Sequence, residues 1–417
     1  MGAVREALSL GLLVAAAIGA GIVVLQVWVL RRHLRVALPV PRTRPAISIL
    51  KPLCGLDDEL GDNLAAFAAL PYPDYEVVLG VASADDPAFP IADWAVRRWP
   101  DRFRLVTQRG ASGLNPKVNQ LIGMVAAARA EILVISDSNT RVPDGYLDEI
   151  AALLEDPKVG LVTHPLCGTD SLASQPSWGA RLDHLHLTAT ITSGFVAASA
   201  LCGKTYVVGK SMALRRSDLE RVGGFAAVKD VLAEDFVLGR LIPARLGKRV
   251  VLGRAVVSCI TVRRSLAAFA ARYARWSVMQ RQCAGLAPYL GLFLLNPVLL
   301  AALALAVAPS RVLALSFWLI LAGRSLANAA AGRLARDRCF GLRTLALVPL
   351  EELLAGAAWL HGLFRHTIVW RSNHLRVGPG SVLSSVAPRR RPRPPQPPQR
   401  PSWPPLPPFG ATSAPSA

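Results

Sequence analysis

The sequence predicts an α/β fold, in which a mostly parallel sheet is sandwiched by helices, with N-terminal and C-terminal transmembrane helices. Two observations predict this class. Between residues 46 and 262, short apolar runs alternate with helical stretches, which is typical of buried parallel strands joined by helices. On both sides of this region lie uncharged apolar runs that are long enough to cross a hydrocarbon core of roughly 30 Å.

Residues 1–45 are predicted to be a membrane anchor with a basic flank. Residues 7–30 carry no charge. A cleaved signal peptide is the alternative, but its apolar region is only about 7–15 residues long. Arg5 is the one basic residue before the run. The basic residues that follow it within the flank include Arg31, Arg32, Arg35, Arg42 and Arg44. By the positive-inside rule, the chain after the anchor is expected in the cytoplasm.

Residues 46–262 are predicted to form the cytoplasmic catalytic domain. Its apolar runs, read as buried strands, are ISIL, YEVVLGVA, FRLVT, EILVISD and VGLVTH. Ligands of such sheets bind beyond the carboxyl ends of the strands. The residues directly after each strand are therefore the candidates for a site.

Polar side chains follow two of these strands. Asp85 and Asp86 come after YEVVLGVA, while Asp137 closes EILVISD and Asn139 stands two residues further on. Two oxygen ligands on one tight turn can hold a hard divalent cation that also contacts a diphosphate. An ordinary Asx turn at a strand end has the same pattern, so this sequence alone leaves both interpretations open.

Two further candidates lie at predicted helix starts. Lys117 follows a proline at the head of one helix, where it would reach a bound phosphate or remain solvated. Glu234 and Asp235 open a later helix. Carboxylates in a first turn are favoured by the helix dipole alone, so a catalytic role needs further support.

Residues 263–283 are predicted to be an interfacial segment, which contains RYARW with Arg272, Arg275 and Trp276. Residues 284–370 are predicted to be the C-terminal transmembrane region. Its later apolar runs contain Arg324, Glu351 and Glu352, whose polar groups either turn inward between helices or lie at the membrane interface. Residues 371–417 are basic and proline-rich, and are predicted to be a disordered tail.

The net charge of +19 fits either nucleic acid or an anionic membrane as a partner. Membrane is favoured, because the positive charge clusters beside apolar runs and in the tail. The sequence has no zinc-finger, homeodomain or RNA-binding motif, and nucleic acid is not expected as a partner. The six cysteines are scattered without a CxxC pair, which favours reduced thiols over a disulfide framework or a zinc site.

The order of these motifs resembles that of membrane glycosyltransferases of the GT-A fold, in particular ceramide glucosyltransferases and the related hopanoid glycosyltransferases. The resemblance runs through ISILKPLCG, YPDYEVVLGV, NPKVNQL, ISDSNTRV, GKSMALRRSDLERVGGF, LAEDFVLGR and RYARW, over roughly residues 46–282. Two departures are visible. Ser83 stands where many relatives have an aspartate, and the metal motif is DSN rather than DxD.

The resemblance implies roles by position. The acidic pair Asp85 and Asp86 would contact the nucleotide, together with Lys117. Asp137 would serve the metal and diphosphate, with Asn139 as a second metal ligand. Asp235 would be the catalytic base. The residues that would close on the diphosphate and the acceptor are Arg272, Arg275 and Trp276.

The implied activity is inverting, metal-assisted transfer of a hexose from a UDP-sugar to the hydroxyl of a membrane lipid. Glucose is the preferred candidate for the hexose, and ceramide is the preferred candidate for the lipid. The metal would be Mg²⁺ or Mn²⁺, and the protein a multi-pass membrane enzyme of a bacterial-type inner membrane or its equivalent. One alternative is UDP-GlcNAc-dependent glycosylation of a hopanoid. Two alternatives from other functional classes are a processive polysaccharide synthase and an inactive membrane scaffold that retains the fold.

Overall fold

The computed structural model describes residues 2–110, 112–169, 174–203, 205–370 and 373–386. The strands in chain order are β1 (Ile47–Pro52), β2 (Tyr75–Val81), β3 (Phe103–Thr107), β4 (Ile132–Ser136), β5 (Thr140–Arg141), β6 (Val159–Thr163), β7 (Leu166–Thr169), β8 (Ser211–Arg215), β9 (Arg249–Leu252), β10 (Val257–Ile260), β11 (Thr367–Trp370), β12 (Asn373–Val377) and β13 (Leu383–Ser385).

The helices alternate with these strands through the middle of the chain. They are α1 (Gly2–Leu34), α2 (Leu60–Ala68), α3 (Phe89–Arg98), α4 (Pro116–Ala127), α5 (Tyr146–Leu154), α6 (Trp178–Leu185), α7 (Ser193–Cys202), α8 (Arg216–Arg221), α9 (Glu234–Leu246), α10 (Leu266–Ala284), α11 (Leu286–Gly291), α12 (Pro297–Val307), α13 (Arg311–Arg336), α14 (Leu342–Leu345) and α15 (Val348–Phe364). A π-helical segment, His186–Thr192, joins α6 to α7.

The central sheet has the strand order β3-β2-β1-β4-β8-β6-β9. The first four of these strands are parallel, and β8 runs antiparallel between β4 and β6. All five predicted strands form, which confirms the predicted α/β class with a mostly parallel sheet. The sequence did not predict β8, the strand that makes the sheet mixed.

Both faces of the sheet are covered by helices. Apolar side chains of α2, α3 and α5 pack on one face, and those of α4, α8 and α9 pack on the other. Every residue of β1 is buried, as expected for a strand covered on both faces. Burial of one such large apolar side chain contributes about 1.5–3 kcal/mol, so this double layer fixes the positions of the strand ends.

A second, small sheet with the order β5-β10-β7 lies beside the carboxyl end of β4. Three residues separate β4 from β5, which pairs with β10 through Cys259 and Ser258. The main-chain N–H of Ile260 donates to the carbonyl of Asn139 at 2.8 Å. The turn between β4 and β5 is therefore held at both ends.

The C-terminal strands form a third sheet, with the order β11-β12-β13. Residues 373–385, which the sequence analysis assigned to the tail, thus belong to an ordered element. The reason is apolar burial, since Leu375, Val377 and Leu383 pack against Val278 of α10. The prediction of a disordered proline-rich segment from residue 387 onward lies outside the described residues.

Four helical stretches in the described chain are long and apolar enough to cross a membrane: Gly2–Leu34, Trp178–Cys202, Arg311–Arg336 and Leu342–Phe364. The first and third expose most of their apolar windows, with 22% and 11% buried. The second was not predicted from the sequence, and 56% of its window is buried inside the protein. The predicted N-terminal and C-terminal apolar helices are confirmed as elements of the fold.

The uncharged run at residues 284–310 does not form one straight helix. It is divided into Leu286–Leu295 and Pro297–Val307, which meet at a bend of 78°. Pro297 lacks a main-chain donor and stands at the first position of α12, so it ends one helix and starts the next. Gly19 of α1 packs closely at this bend, because an added Cβ would clash with the carbonyl oxygen of Leu294.

The charged residues of the C-terminal region turn inward. Arg324, Glu351 and Glu352 are 3%, 1% and 1% exposed. Arg324 Nε lies 3.1 Å from a carboxylate oxygen of Glu352, whose other oxygen accepts from the N–H of Val298 at 2.7 Å. Of the two arrangements that the sequence left open, the structure has the one with polar groups between helices.

Candidate active site

The turn after β4 carries two side-chain oxygens that converge on one point. The ammonium of Lys210 lies 3.0 Å from Asp137 Oδ2 and 2.8 Å from Asn139 Oδ1. The amide nitrogen of Asn139 donates to the carbonyl of Ile260 at 3.1 Å, which orients its oxygen toward Lys210. The turn therefore presents a two-oxygen cradle that already holds a cationic group.

Lys117 lies on the other side of Asp137. Asn115 caps α4 by accepting from the N–H groups of Lys117 and Val118 at 2.9 and 3.1 Å, so the lysine begins the helix in a fixed position. Its ammonium is 3.0 Å from Asp137 Oδ1, 3.0 Å from Glu234 Oε1 and 2.8 Å from the carbonyl of Gly209. Lys117 thus joins the β4 turn to the start of α9.

The charges of this network shift the pKa values of its members. Burial by itself opposes ionisation of Asp137, but Lys117 and Lys210 hold the pKa of its carboxyl well below its usual range. Burial likewise lowers the pKa of Lys117, yet the carboxylates of Asp137 and Glu234 raise it overall. Both groups are therefore charged at neutral pH.

A third lysine supports the turn from inside the sheet. Lys51 of β1 is fully buried, and its ammonium donates to the carbonyl of Asp137 at 2.8 Å and to Ser136 Oγ at 3.2 Å. It also lies 3.7 Å from the centre of the Phe67 ring. Burial lowers the pKa of Lys51 to about 7. Three ammonium groups consequently surround the oxygens of Asp137.

Asp235 lies at the start of α9, where its carboxylate accepts from the N–H of Gly209 at 2.5 Å and of Phe236 at 2.7 Å. Burial, and then the neighbouring charge of Glu234, raise the pKa of Asp235 to about 6. A carboxylate with this pKa accepts a proton more readily than an ordinary aspartate, while remaining ionised at neutral pH. Gly209 is required for this contact, because an added Cβ would lie 2.9 Å from Asp235 Oδ2.

The predicted interfacial segment is the helix α10, and its two arginines have different surroundings. Arg272 lies 3.2 Å from the buried carboxylate of Asp183, which also accepts from the Tyr273 hydroxyl at 2.9 Å. The Arg272 guanidinium stacks 4.7 Å from the centre of the Trp276 ring. Burial lowers the pKa of Arg272, but Asp183 raises it overall, with a smaller contribution from Asp137.

Arg275 has fewer polar contacts than Arg272 among the described residues. It is partly buried, and within the described residues it forms no ion pair. Burial, and then the positive charge of Arg272, lower its pKa. An arginine in such surroundings gains from an incoming anion, because its five donors match the oxygens of a phosphate. Arg272 instead is committed to Asp183.

Asp85 and Asp86 lie at the same edge of the sheet, after β2, but outside the hydrogen-bonded network of Asp137. The carboxylate of Asp86 accepts from the N–H groups of Gly55 and Ala88 at 2.8 and 2.9 Å, so it ties the loop after β1 to the loop after β2. Asp85 is exposed. The structure therefore brings Lys117, Asp137, Asn139 and Asp235 together, and leaves this pair as a separate group.

The cradle has the donor chemistry of a divalent-cation site. The Lys210 ammonium is a stand-in cation within 3.0 Å of both side-chain oxygens, so Asp137 and Asn139 can face one ion. No group of three or more His, Cys, Asp or Glu side chains able to hold a metal occurs among the described residues. Two protein oxygens are sufficient for an ion that takes its other ligands from a diphosphate and water.

Sequence reasoning missed three functional candidates. Lys210 stands in the quoted stretch GKSMALRRSDLERVGGF, but only strand pairing reveals that it faces Asp137. Asp57 follows β1 and hydrogen-bonds Ser138 in the β4 turn, a position that a rule on strand ends would have found. Asp183 gave no signal, because it lies in an apolar stretch and its partners are distant in sequence.

Comparison with known proteins identifies the family. The model described as Glycosyl transferase family 21 matches residues 11–383. The chain belongs to glycosyl transferase family 21. It is therefore a glycosyltransferase, and the resemblance to ceramide glucosyltransferases is confirmed at the level of the family. Family membership and the observed sheet together confirm the predicted α/β glycosyltransferase fold with apolar flanking helices.

Curated relatives are similar over most or part of the chain. Ceramide glucosyltransferase 3 of Caenorhabditis elegans is 26% identical over 362 residues, which are 81% of this chain and 74% of that protein. Ceramide glucosyltransferase 1 of the same organism is 28% identical over 49% of this chain and 43% of its own length. The ceramide glucosyltransferase of Komagataella phaffii is 28% identical over 45% of this chain and 40% of its own.

Among solved structures, the chain is similar to a mannosyltransferase from Pyrobaculum calidifontis in complex with GDP-Man and Mn²⁺. It is 21% identical, with a TM-score of 0.47, and the match covers 86% of this chain and 99% of that one. GalNAc-T7 with UDP, GalNAc and Mn²⁺ is 11% identical, with a TM-score of 0.40, over 58% of this chain and 49% of its own.

Proposed function

We propose that this glycosyltransferase transfers a hexose from a UDP-sugar to the hydroxyl of a membrane lipid, with inversion at the anomeric carbon. Glucose is the preferred candidate for the sugar, and ceramide is the preferred candidate for the lipid. One observation carries the proposal: a base of raised pKa, Asp235, lies in the same network as the diphosphate candidates Lys117 and Asp137. The network sits beside α10, which packs on the apolar helix α15 through Tyr273 and Phe269.

In this mechanism Asp235 takes the proton of the acceptor hydroxyl as its oxygen attacks the anomeric carbon. The bond from that carbon to the diphosphate breaks, and the UDP leaves with the electron pair. Lys117, Lys210 and Arg275 stabilise the charge that develops on the diphosphate. A divalent cation, Mg²⁺ or Mn²⁺, bound by Asp137 and Asn139 would supply further charge stabilisation there.

Trp276, Asp85 and Asp86 keep the roles expected from the sequence, whereas Arg272 is assigned a positioning role instead of a contact with the diphosphate. Trp276 offers an apolar ring to the acceptor or its sugar, and Arg272 holds that ring in place from the other face. Asp85 and Asp86 follow β2 at the same sheet edge, and in this mechanism they contact the nucleotide. The catalytic domain comprises residues 46–262, with its site on the cytoplasmic side, where UDP-sugars are supplied.

The membrane partner is supported by the fold. The anchor of residues 1–45, the segment of residues 263–283 and the region of residues 284–370 place apolar helices next to the domain. The sheet of β11, β12 and β13 joins the catalytic unit rather than the tail. The acceptor therefore reaches the site from the bilayer, without leaving it for water.

The deciding experiment uses the full chain purified into lipid nanodiscs and a panel of UDP-glucose, UDP-galactose and UDP-GlcNAc, with ceramide or a hopanoid polyol as acceptor. Mass spectrometry identifies the glycolipid. We expect hexosylceramide from UDP-glucose. A GlcNAc-hopanoid would select the alternative acceptor, and an oligosaccharide ladder would indicate a polysaccharide synthase.

The Asp235→Asn protein is the matched control for this panel. An unsubstituted protein that gives no product with any pair, and behaves like this control, would support the inactive scaffold. Exhaustive chelation with EDTA is expected to abolish transfer, and Mg²⁺ or Mn²⁺ to restore it. Full activity after chelation would contradict the role proposed for the cation.

A further inference from the structure

Strand pairing places Lys210 opposite Asp137. β8 runs antiparallel to β4, with Ser211 level with Ser136. The next residue on each strand in the outward direction is Lys210 on one and Asp137 on the other. The long lysine side chain then spans the end of the two strands and reaches Asn139, two residues beyond. This contact follows from the sheet register.

The two ammonium groups on Asp137 differ in how firmly they are held. Lys117 has three acceptors, which are Asp137, Glu234 and the carbonyl of Gly209. Lys210 has only the two oxygens of the cradle, Asp137 Oδ2 and Asn139 Oδ1, within the described residues. The two lysine side chains are similarly exposed, at 12% for Lys210 and 15% for Lys117, so the number of acceptors is what distinguishes them.

A divalent cation and the Lys210 ammonium cannot occupy the cradle together, because both would need the same two oxygens. Without a ligand, the Lys210 ammonium compensates the negative charge of Asp137 and keeps the side-chain oxygens of Asp137 and Asn139 facing one cationic group. When a cation binds, the ammonium must leave, and the most favourable new partner for a displaced positive charge in this setting is an anion bound beside the cation.

We propose that Lys210 is an internal competitor for the divalent-cation site, which exchanges its contacts with Asp137 and Asn139 for the phosphate oxygens of the donor. The proposal rests on the proposed function for the identity of that donor, a nucleoside diphosphate sugar. The consequence of this exchange is that tight binding of the cation depends on binding of the diphosphate. The cation alone binds weakly, since it must displace Lys210 without compensation, and it binds well only when a diphosphate receives the displaced ammonium.

The experiment measures two affinities of the full chain in nanodiscs: that of Mn²⁺ without nucleotide, by electron paramagnetic resonance, and that of UDP at saturating Mn²⁺, by calorimetry. Lys210→Met keeps most of the side-chain volume and removes the charge. We expect it to bind Mn²⁺ about tenfold more tightly and UDP about tenfold more weakly, as the loss of one nearby unit charge predicts.

The opposite signs of the two effects are the diagnostic result. A purely structural role of Lys210 would weaken both affinities or neither, and either outcome would overturn the proposal. Lys210→Gln provides a second neutral variant with a hydrogen-bond donor, in case the methionine variant does not fold. Lys210→Arg retains the charge and should leave Mn²⁺ binding weak. Lys158→Met, at an exposed site, is the matched control and should change neither affinity.

The Mn²⁺ titration contains neither sugar nor acceptor, so it separates the two proposals. A protein that transfers no hexose to any lipid, and still shows tighter Mn²⁺ binding in Lys210→Met, would contradict the proposed function and support the competition. An active enzyme whose Mn²⁺ affinity is unchanged by the same substitution would support the proposed function and contradict the competition.

Discussion

At the scale of single residues, Asp235 has an environment that explains why an ordinary carboxylate could act as a base. Lys117 and two main-chain N–H groups favour its charged form, whereas burial and Glu234 oppose it. The second pair of effects is larger, and the pKa rises to about 6. A carboxylate with a purely structural role at a helix start does not require a raised pKa.

The substitution Asp235→Asn is expected to reduce turnover by about 10²–10⁴, the usual contribution of a general base. Asparagine keeps the volume and can still accept from Gly209, so UDP binding and thermal stability should stay close to those of the unsubstituted protein. Turnover at saturating UDP-sugar is the measurement, with binding and melting recorded on the same preparations. An asparagine variant within a few-fold of the original would remove Asp235 from the mechanism.

The pH dependence provides an independent check on the same residue. A base must be deprotonated, so activity falls as the pH decreases through its pKa. With the pKa of Asp235 at about 6, kcat/KM should be half-maximal near that pH and drop to about a tenth at one unit below, because this ratio reports the free enzyme. A profile that stays flat down to about pH 5 would contradict the assignment.

Arg275 and Arg272 are expected to respond differently to lysine. Arg275→Lys keeps the charge but loses the planar pair of donors, so it should raise the KM for the UDP-sugar and lower kcat with little change in stability. Arg272→Lys should mainly lower the melting temperature, because the buried Asp183 loses part of its partner. Steady-state kinetics and thermal unfolding of both variants make the comparison. Equal kinetic defects in both variants would mean that Arg272 also contacts substrate.

At the scale of elements, the start of α9 depends on a segment far along the chain. The N–H of Leu232 donates to the carbonyl of Ser381 at 2.9 Å, and that of Ala233 donates to Ser381 Oγ at 3.2 Å. Ser381 is buried with a φ of 60°, a left-handed conformation that few non-glycine residues adopt. The connection between β12 and β13 therefore fixes Leu232 and Ala233, the two residues that precede α9.

The substitution Ser381→Ala should destabilise the protein by about 1–3 kcal/mol, because it leaves the buried N–H of Ala233 without its acceptor. It should also lower kcat without a matching loss of UDP binding, since the displacement falls on Asp235 rather than on Lys117. Ser384→Ala, on an exposed position of the same sheet, is the control. The measurements are denaturant unfolding and turnover. Equal behaviour of the two variants would show that the contact is incidental.

Elements differed in how far the sequence determined them. β1 and β4 were predictable because both faces are covered and the runs are mostly apolar. The third sheet was not, since its apolar residues alternate with charged ones beside a proline-rich stretch and only packing against α10 identifies its inner face. The bend before Pro297 could in principle be predicted from that proline, although residues 284–310 form one uncharged run.

The candidate site was predictable to a different extent. Motif order identified Asp137, Lys117 and Asp235, because each follows a strand or opens a helix. It did not reveal that Lys117 and Lys210 hold the two oxygens of Asp137, or that Asp183 engages Arg272. These contacts join residues about 20 to 90 positions apart, and only the register of β4 with β8 and the packing of α6 on α10 bring them together.

At the scale of the whole molecule, buried polar contacts connect the apolar helices to α10. Arg324 of α13 pairs with Glu352 and donates to Thr190 Oγ1 at 2.7 Å in the π-helical segment. In the same segment His186 hydrogen-bonds Glu351, and its ring lies 4.3 Å from that of Tyr273. Since Tyr273 also hydrogen-bonds Asp183, the orientation of Arg272 depends on helices that are otherwise remote from the sheet.

The arrangement of α1 and α12 makes a prediction about sidedness. Arg5, near the start of α1, donates to the carbonyl of Val307 at 2.7 Å, so the N-terminus and the connection between α12 and α13 lie at the same end of the helices. By the positive-inside rule, the arginines at the other end of α1 predict that the catalytic domain lies in the cytoplasm. Pro309 and the domain should therefore lie on opposite sides of the membrane.

Single cysteines test this expectation in intact cells, in a background where the exposed Cys202 and Cys339 are replaced by serine. Arg109→Cys lies at an exposed site of the catalytic domain and should resist a membrane-impermeant thiol reagent until the cells are permeabilised. Pro309→Cys should react before permeabilisation. Ready labelling at position 109 in intact cells would reverse the orientation, and it would remove the domain from the cytoplasmic supply of UDP-sugar on which the proposed reaction depends.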